Sequence, residues 1–596
     1  MNRRTESLQR RRSAAEMAAA RPHPTHHNNG DEQRLRGDDG RPTYAANFTK
    51  CLPHDADGFL QNPDDYTEWV RAIGTGDPRD FAALRIGPGP HQPNGDFQYN
   101  AATGRPVLTW AASYAPDPDP DVRGWESPGA GLTFDLEGPD AASVTMPPAP
   151  SIDSQELIAE MGEVYQMAFC RDVPFADWPA SSAINDARAS LGRLFWFRAD
   201  RGDRLDGATD GLVSSLARRR ILSQTGGAVP LQKVFRGVTP GVDVGPYLSQ
   251  FMLIGNGGLG DVHAITDGKI AYGSITIDQR VRIVADTDYM TNWAHFLDVQ
   301  NGAKTNGRDA YGPGKPEYRF ISRGRDLATY VHHDALYEAY LNACLILLGM
   351  NAPVDPGLPF VREDYIDKQS GFAQFGGPHI LTLVCEVATR ALKAVRYQKY
   401  NTHRRLRPEA LGGWMYQRRN GSGAVVERLR ELANMELAYA GTSGIGGKLD
   451  AANGADNWLL PMAFPEGSPA HPSYGAGHAA VAGACVTILK AWFDHGWTLR
   501  DGGAPIAYEP DAAGSALVDV SGTLTRPLTV EGELNKLAAN IAVGRDWAGV
   551  HYYTDYFESF KLGEQVALGV LEEQKLTYSE AFSMTVPLHD GTTVQI

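Results

Sequence analysis

The sequence predicts a mainly α protein, one large helical domain carrying a few short strands. Three observations support this. Apolar residues recur at helical spacing in runs from Asp153 to Leu571, strand-like alternation is confined to residues 521–530 and 584–596, and no Pro/Gly/Ser-rich linker divides residues 150–596. At 596 residues the chain could hold several average domains, but length is a soft guide. With 42% hydrophobic and 21% charged residues, the composition is that of a globular protein with a sizeable core.

Residues 1–44 are rich in Arg, Pro, His, Asn and Asp with little periodic apolar content, and are expected to form a disordered tail. Residues 45–596 make the helical domain, with irregular chain from Phe48 to Gly129. The first helix with a clear start opens at Asp153, where Asp153 and Glu156 form a capping-box pattern ahead of Leu157, Met161, Val164, Tyr165 and Ala168. Helical patterns then recur at residues 183–197, 247–253, 278–299, 327–348 and 377–400, and again at 479–493, 534–543 and 557–571. The terminal strand pair is marked by the Asp590-Gly591 turn.

A net charge of −15 disfavours nucleic acids and anionic membranes as partners, so any anion site must be locally basic. Cys51, Cys170, Cys344, Cys385 and Cys485 are too scattered for a disulfide framework or a zinc site and read mostly as buried thiols. The arginines near the N-terminus precede no apolar signal core, and no apolar run approaches the ~20 residues of a membrane span. A soluble, cytoplasmic protein is expected.

The chemistry concentrates in three segments. His471-Pro472-Ser473-Tyr474-Gly475-Ala476-Gly477-His478 precedes an apolar helix, whose free N–H groups and positive dipole end suit a tetrahedral oxyanion. Lys399 and Arg407 flank a helix end, because Pro408 disfavours the α conformation at Arg407; the alternative is a solvated basic face including His403, Arg404 and Arg405. Arg545 and His551, six residues apart, would sit about 240° apart on an unbroken helix, so they share a site only if Gly549 breaks it. Taken alone, His551 reads as an ordinary core or surface histidine, as do His332, His333 and His379.

These segments, with FRGVTPGVDVGPYLSQF, DYMTNWAHFLDVQNG and GRDLATYVHHDALYEAYLNA, resemble the vanadium-dependent haloperoxidases of the red-algal bromoperoxidase type from Asn47 to the C-terminus. The resemblance implies the helical-bundle fold shared with acid phosphatases, with residues 325–596 carrying a vanadate site. It implies His551 as the direct vanadium ligand, with Lys399, Arg407, Arg545, Ala476, Gly477 and His478 around the oxyanion. His478 would be the acid–base group, Lys399 would polarise bound peroxide, and His471, where chloroperoxidases carry an aromatic residue, would favour bromide and iodide. The implied partners are hydrogen peroxide, halide, small organic acceptors and further copies of the chain, as a homodimer or larger homo-oligomer.

Two features depart from the family pattern. Gly475-Ala476-Gly477-His478 stands where Pro-Ser-Gly-His is usual, so a hydroxyl donor is missing and the loop is expected to be looser. In the segment of Phe360, Arg362, Asp364, Asp367 and Gln369, oxygen donors suit a hard cation such as calcium, but Arg362 replaces a neutral residue; a solvated acidic loop is the other reading. The expected function is bromide oxidation with peroxide. The alternatives are a vanadate-inhibited acid phosphatase using His551 as nucleophile, or a weakly active relative.

Overall fold

A computed structural model describes residues 2–596 apart from 90–98, 100, 103–106, 109, 112–121, 202–219, 257–263, 312–316, 362–367 and 433–444. The helices that frame the site or its surroundings are numbered here in chain order. They are α1 (Arg3–Ala20), α2 (Asp64–Thr75), α3 (Gln155–Cys170), α4 (Ser182–Arg193), α5 (Trp293–Gln300), α6 (Gly324–His333), α7 (Glu338–Gly349), α8 (Gly377–Tyr397), α9 (Pro408–Asn420), α10 (Gly477–Trp492), α11 (Val530–Trp547) and α12 (Tyr553–Lys575).

Helix α10 is the hub, packing on α8, α11 and, most extensively, α12. Every residue from Ala479 to Trp492 is buried, as expected of a helix in which Thr487 and Lys490 are the only polar residues of that stretch. Its small residues allow close approach. A Cβ on Gly483 would lie 2.4 Å from the Phe560 carbonyl oxygen, and one on Gly563 2.0 Å from that of Ala480, so this crossing requires glycine on both helices. Helix α8 turns one stripe to the core, with Ile380, Leu383, Val384, Val387, Ala388, Ala391, Ala394 and Val395 buried at helical spacing.

Strands among the described residues form short antiparallel pairs only, and the expected terminal hairpin is present, with residues 585–587 pairing with 593–595. The other expected strand, residues 521–530, is instead a 3-10 turn at Ser521–Thr523 leading to α11. Residues 278–299 are helical only from Trp293, because the Asn292 side chain caps α5 by accepting from the His295 N–H; the preceding residues enter short strands. The long helix expected over 327–348 is two, divided where Leu336 adopts a positive φ of 45°. The predicted helix over 247–253 reduces to a 3-10 turn, Gln250–Met252. Ser154, not Asp153, caps α3, while Asp153 pairs with Arg34.

Residues 2–44, expected to be disordered, form α1 and a docked loop. Arg10 donates to the Leu576 carbonyl at 2.6 Å, Arg21 reaches Glu572 and Glu573, and buried Asp31 accepts from the Ile152 N–H. Burial pushes the Asp31 carboxyl up to about 7. The partners of this segment are more than a hundred residues away, which local composition cannot reveal. Helix α2, within chain expected to be irregular, buries Tyr66, Trp69, Ala72 and Ile73 in a small second core that also contains Tyr400.

The five cysteines are free thiols, all buried except the half-buried Cys385. Among the described residues no helix is long and apolar enough to cross a membrane.

Candidate active site

The end of α8 determines where the first cation points. Its last turn passes into a π-helical segment, Gln398–His403, which closes on Arg404 in the left-handed region (φ 43°). The extra residue per turn rotates Lys399 inward, a device that π segments often supply at functional sites. Lys399 is fully buried and donates to the carbonyls of Pro472 (2.8 Å) and Ser473 (3.2 Å). Arg407 is extended at the N-cap of α9, as Pro408 dictates. Its guanidinium donates to the carbonyls of His471 (3.0 Å) and Val550 (2.8 Å), to Nδ1 of His471 (2.8 Å) and to Nε2 of His551 (3.0 Å).

Arg545 lies in the last turn of α11, and the break after it is Gly549 at φ 83°. Its guanidinium donates to the Val331 carbonyl at 2.7 Å and keeps a buried Nε without a partner. Among the described residues, no carboxylate lies within 4.0 Å of Lys399, Arg407 or Arg545, whereas buried Lys50, Arg220, Arg405 and Lys536 are each paired. Burial lowers the pKa of all three, Lys399 well below its ordinary value and Arg407 to about 9, and repulsion adds to this, from Arg407 at Lys399 and from Arg545 at Arg407. Buried cations without counter-ions are expensive, so the cluster favours an anion.

His551 turns Nδ1 to Asp555 Oδ2 at 2.9 Å, which leaves Nε2 facing Arg407 with a lone pair. Asp555 is tied down by Arg405 (2.7 Å), the Tyr552 N–H (3.1 Å) and the Ser473 hydroxyl. These donors and the His551 ring hold its carboxyl far below the usual range despite burial. His478, on the first turn of α10, meets Asp334 through Nε2 at 3.0 Å. His471, His478, His551, Gly477, Arg545 and Arg396 line one cavity of about 320 Å³. Among the described residues, the N–H groups of Gly477, His478 and Ala479, opening α10, donate to no protein acceptor.

Burial and neighbouring cations lower the pKa values of His471 and His551 well below the ordinary value. Both are therefore neutral when folded, and only the unfolded chain takes up their protons as pH falls below about 6.5. Stability is accordingly expected to decline as pH drops through that value, and melting curves of the vanadate-free protein from pH 8 to 5 would show it. A flat profile over that range would mean that these rings are already charged in the folded state.

The structure thus brings together Lys399, Arg407, His471, Gly477, His478, Arg545 and His551. Ala476 is the N-cap of α10, and its N–H is shared between the Ser559 hydroxyl (2.8 Å) and the Asp555 carbonyl (3.3 Å). Position 475 is closely packed: a Cβ on Gly475 would sit 2.3 Å from Ser559 Oγ. The solvated basic face is absent: His403, Arg404 and Arg405 are buried, Arg404 on Glu32 and Arg405 on Glu160 and Asp555. In the proposed calcium segment, Arg362, Asp364 and Asp367 lie outside the described residues; Phe360 has φ 64° and Gln369 is exposed. Sequence reasoning missed Asp555, Asp334, Arg396 and Ser559. Only Asp555 left a signal, four residues after His551.

The curated vanadium-dependent bromoperoxidases of Corallina pilulifera and Corallina officinalis are each 46% identical to this sequence, over 99% of this chain and 98% of theirs. This chain belongs to the vanadium-dependent bromoperoxidase family. The bromoperoxidase of Ascophyllum nodosum is 33% identical over 79% of the chain and 77% of its own length. The VCPO second helical-bundle domain matches residues 432–579, which span the His471–His478 loop, α10, α11 and His551. The homohexameric structure of the second vanadate-dependent bromoperoxidase of Ascophyllum nodosum matches with a TM-score of 0.74 at 25% identity, covering 100% of this chain and 90% of that one. A bromoperoxidase-family fold therefore carries the cluster, and His551 and its three cations all lie in its C-terminal half.

Proposed function

We infer that this protein is a vanadate-dependent bromoperoxidase, oxidising bromide and iodide with hydrogen peroxide to a hypohalous product that halogenates small organic acceptors. Its family supports this reading, and one structural observation carries it: three buried cations without carboxylate partners surround His551, whose Nε2 faces Arg407. The donor set fits a multiply charged tetrahedral oxoanion. Lys399, Arg407 and Arg545 would neutralise the oxygens, Gly477 would donate its N–H, and His551 Nε2 would be the direct ligand. Bound vanadate supplies a Lewis-acid centre that activates peroxide toward halide without changing its own oxidation state.

The chain's residues do the remainder. Asp555 fixes the His551 tautomer and ring plane, as outer carboxylates do for metal-ligating imidazoles. His478, held by Asp334 at the cavity wall, would serve as the acid–base group that accepts the proton of hydrogen peroxide. Lys399 would place positive charge beside peroxide held at the site. His471, whose Nδ1 accepts from Arg407, carries the preference for bromide and iodide. Phe360, Arg362, Asp364, Asp367 and Gln369 would supply oxygen ligands to a structural calcium ion. The chain assembles as a homo-oligomer, a reading supported by the homohexameric structural relative.

The test is bromination of a dye by protein purified without phosphate, with and without vanadate, alongside phosphate release from a generic ester. Bromination that requires vanadate supports the assignment; phosphate release alone would move it to the acid phosphatases.

Ala476 is buried at the N-cap of α10, where the usual serine would add a hydroxyl. A hydrogen bond to a charged group contributes about 1.5–3 kcal/mol, so Ala476→Ser is expected to tighten vanadate binding roughly tenfold or more. Equilibrium dialysis would show it, and an unchanged affinity would mean that a hydroxyl there does not reach the anion.

A further inference from the structure

The C-terminal end of α6 carries adjacent histidines, His332 and His333, with ring centroids 4.4 Å apart. Asp309 approaches from a loop, and one ligand atom from each of the three residues lies within 4.8 Å of the others. The Asp309 side chain is only 6% exposed, and its Oδ2 is buried without a partner. Its Oδ1 lies 3.6 Å from His332 Nδ1, too long for a direct hydrogen bond. It is close to the ~3.4 Å that separates two ligands on a tetrahedral ion with metal–ligand bonds of about 2.0–2.2 Å.

The other side of His332 is already committed. Glu466 Oε1 holds Nε2 at 2.6 Å, and the ring stacks on Phe464 with centroids 3.8 Å apart at 13°. A proton on Nε2 leaves the Nδ1 lone pair facing Asp309. A carboxylate behind an imidazole whose other nitrogen faces a further donor is the support that metal-binding histidines use. His333 has no hydrogen-bond partner among the described residues and borders a second cavity, of about 340 Å³, so solvent can supply a fourth ligand. His332 borders the first cavity, which places the cluster in the wall between the two.

We propose that Asp309, His332 and His333 bind one divalent first-row metal ion, with Glu466 as outer support and water completing the shell. Two imidazoles and one carboxylate form a borderline donor set, and zinc, a d10 ion without geometric preference, tolerates it best. The rival arrangement is a protonated His332 bridging Glu466 and Asp309 with no ion.

Full-length protein stripped with a chelator, free of vanadate, would be titrated with Zn²⁺ by calorimetry and with Co²⁺ by visible absorption. The expected result is one saturable site with four-coordinate cobalt bands. Asp309→Asn and His333→Ala should each weaken it at least tenfold, and Glu466→Gln by roughly 10–100-fold. Melting curves would confirm that each variant folds; His333 is exposed, so its truncation should not disturb the core. Absence of saturable uptake would overturn the proposal in favour of the bridging imidazolium, and affinity unchanged by both Asp309→Asn and His333→Ala would place the metal elsewhere.

Discussion

Replacing His551 with Ala is expected to abolish bromination and to weaken vanadate binding by more than about 100-fold, since losing even an outer partner of a metal ligand costs 10–100-fold. The ring is buried, its Nδ1 is used by Asp555, and its Nε2 faces the cation cluster, so no neighbouring group can take its place. The fold should survive. Asp555 keeps Arg405, Ser473 and the Tyr552 N–H, and Arg407 keeps the carbonyls of His471 and Val550. The measurements are vanadate binding by equilibrium dialysis and bromide oxidation at saturating peroxide. Full bromination by a folded His551→Ala protein would remove His551 from the site, and a loss of activity with unchanged vanadate affinity would give it a role other than ligand.

What the sequence revealed of this site was the residues whose chemistry is local. Pro408 correctly placed the helix end before Arg407, Gly549 broke the helix between Arg545 and His551, and the small residues after His471 opened a helix with free N–H groups. Apart from Asp555, four residues after His551, the groups that hold those residues in place were hidden, because they lie far off along the chain. Asp334 meets His478 across 144 residues, Ser473 meets Asp555 across 82, and Glu160 reaches Arg405 from α3.

The fold was legible in the same uneven way. Strong apolar periodicity marked α8, α10 and α12, whereas the segment before Trp293 and the N-terminal 44 residues depend on an Asx cap and on salt bridges to distant helices. The basic run His403 to Arg405 shows the limit most plainly. Its charge suggested solvent, yet Glu32, Glu160 and Asp555 bring it inside.

Asp555 is where stability and function meet, and Asp555→Asn is expected to damage both. The carboxylate neutralises Arg405, orients His551, and supplies the negative field that partly offsets the burial of Lys399 and Arg407. Breaking a buried pair leaves an uncompensated charge and costs about 3–5 kcal/mol, although Glu160 still meets Arg405 and moderates the loss. Vanadate affinity should fall roughly 10–100-fold, because the amide has one acceptor oxygen and must turn its NH2 toward either Arg405 or the His551 side. The stabilisation that saturating vanadate gives to the fold should shrink with it, since ligand stabilisation scales with the logarithm of affinity. Because the folded pKa of Asp555 is depressed, its contribution is present above the unfolded value near 3.9 and is lost as pH falls through the folded one. The substitution should therefore flatten the acid limb of the stability profile and leave the histidine-linked decline near pH 6.5 in place. Ser473→Ala, which removes one hydroxyl donor from the same carboxylate, is the milder control at about 1.5–3 kcal/mol. A destabilised Asp555→Asn protein that bound vanadate normally would reduce Asp555 to a structural residue and leave the orientation of His551 to its packing.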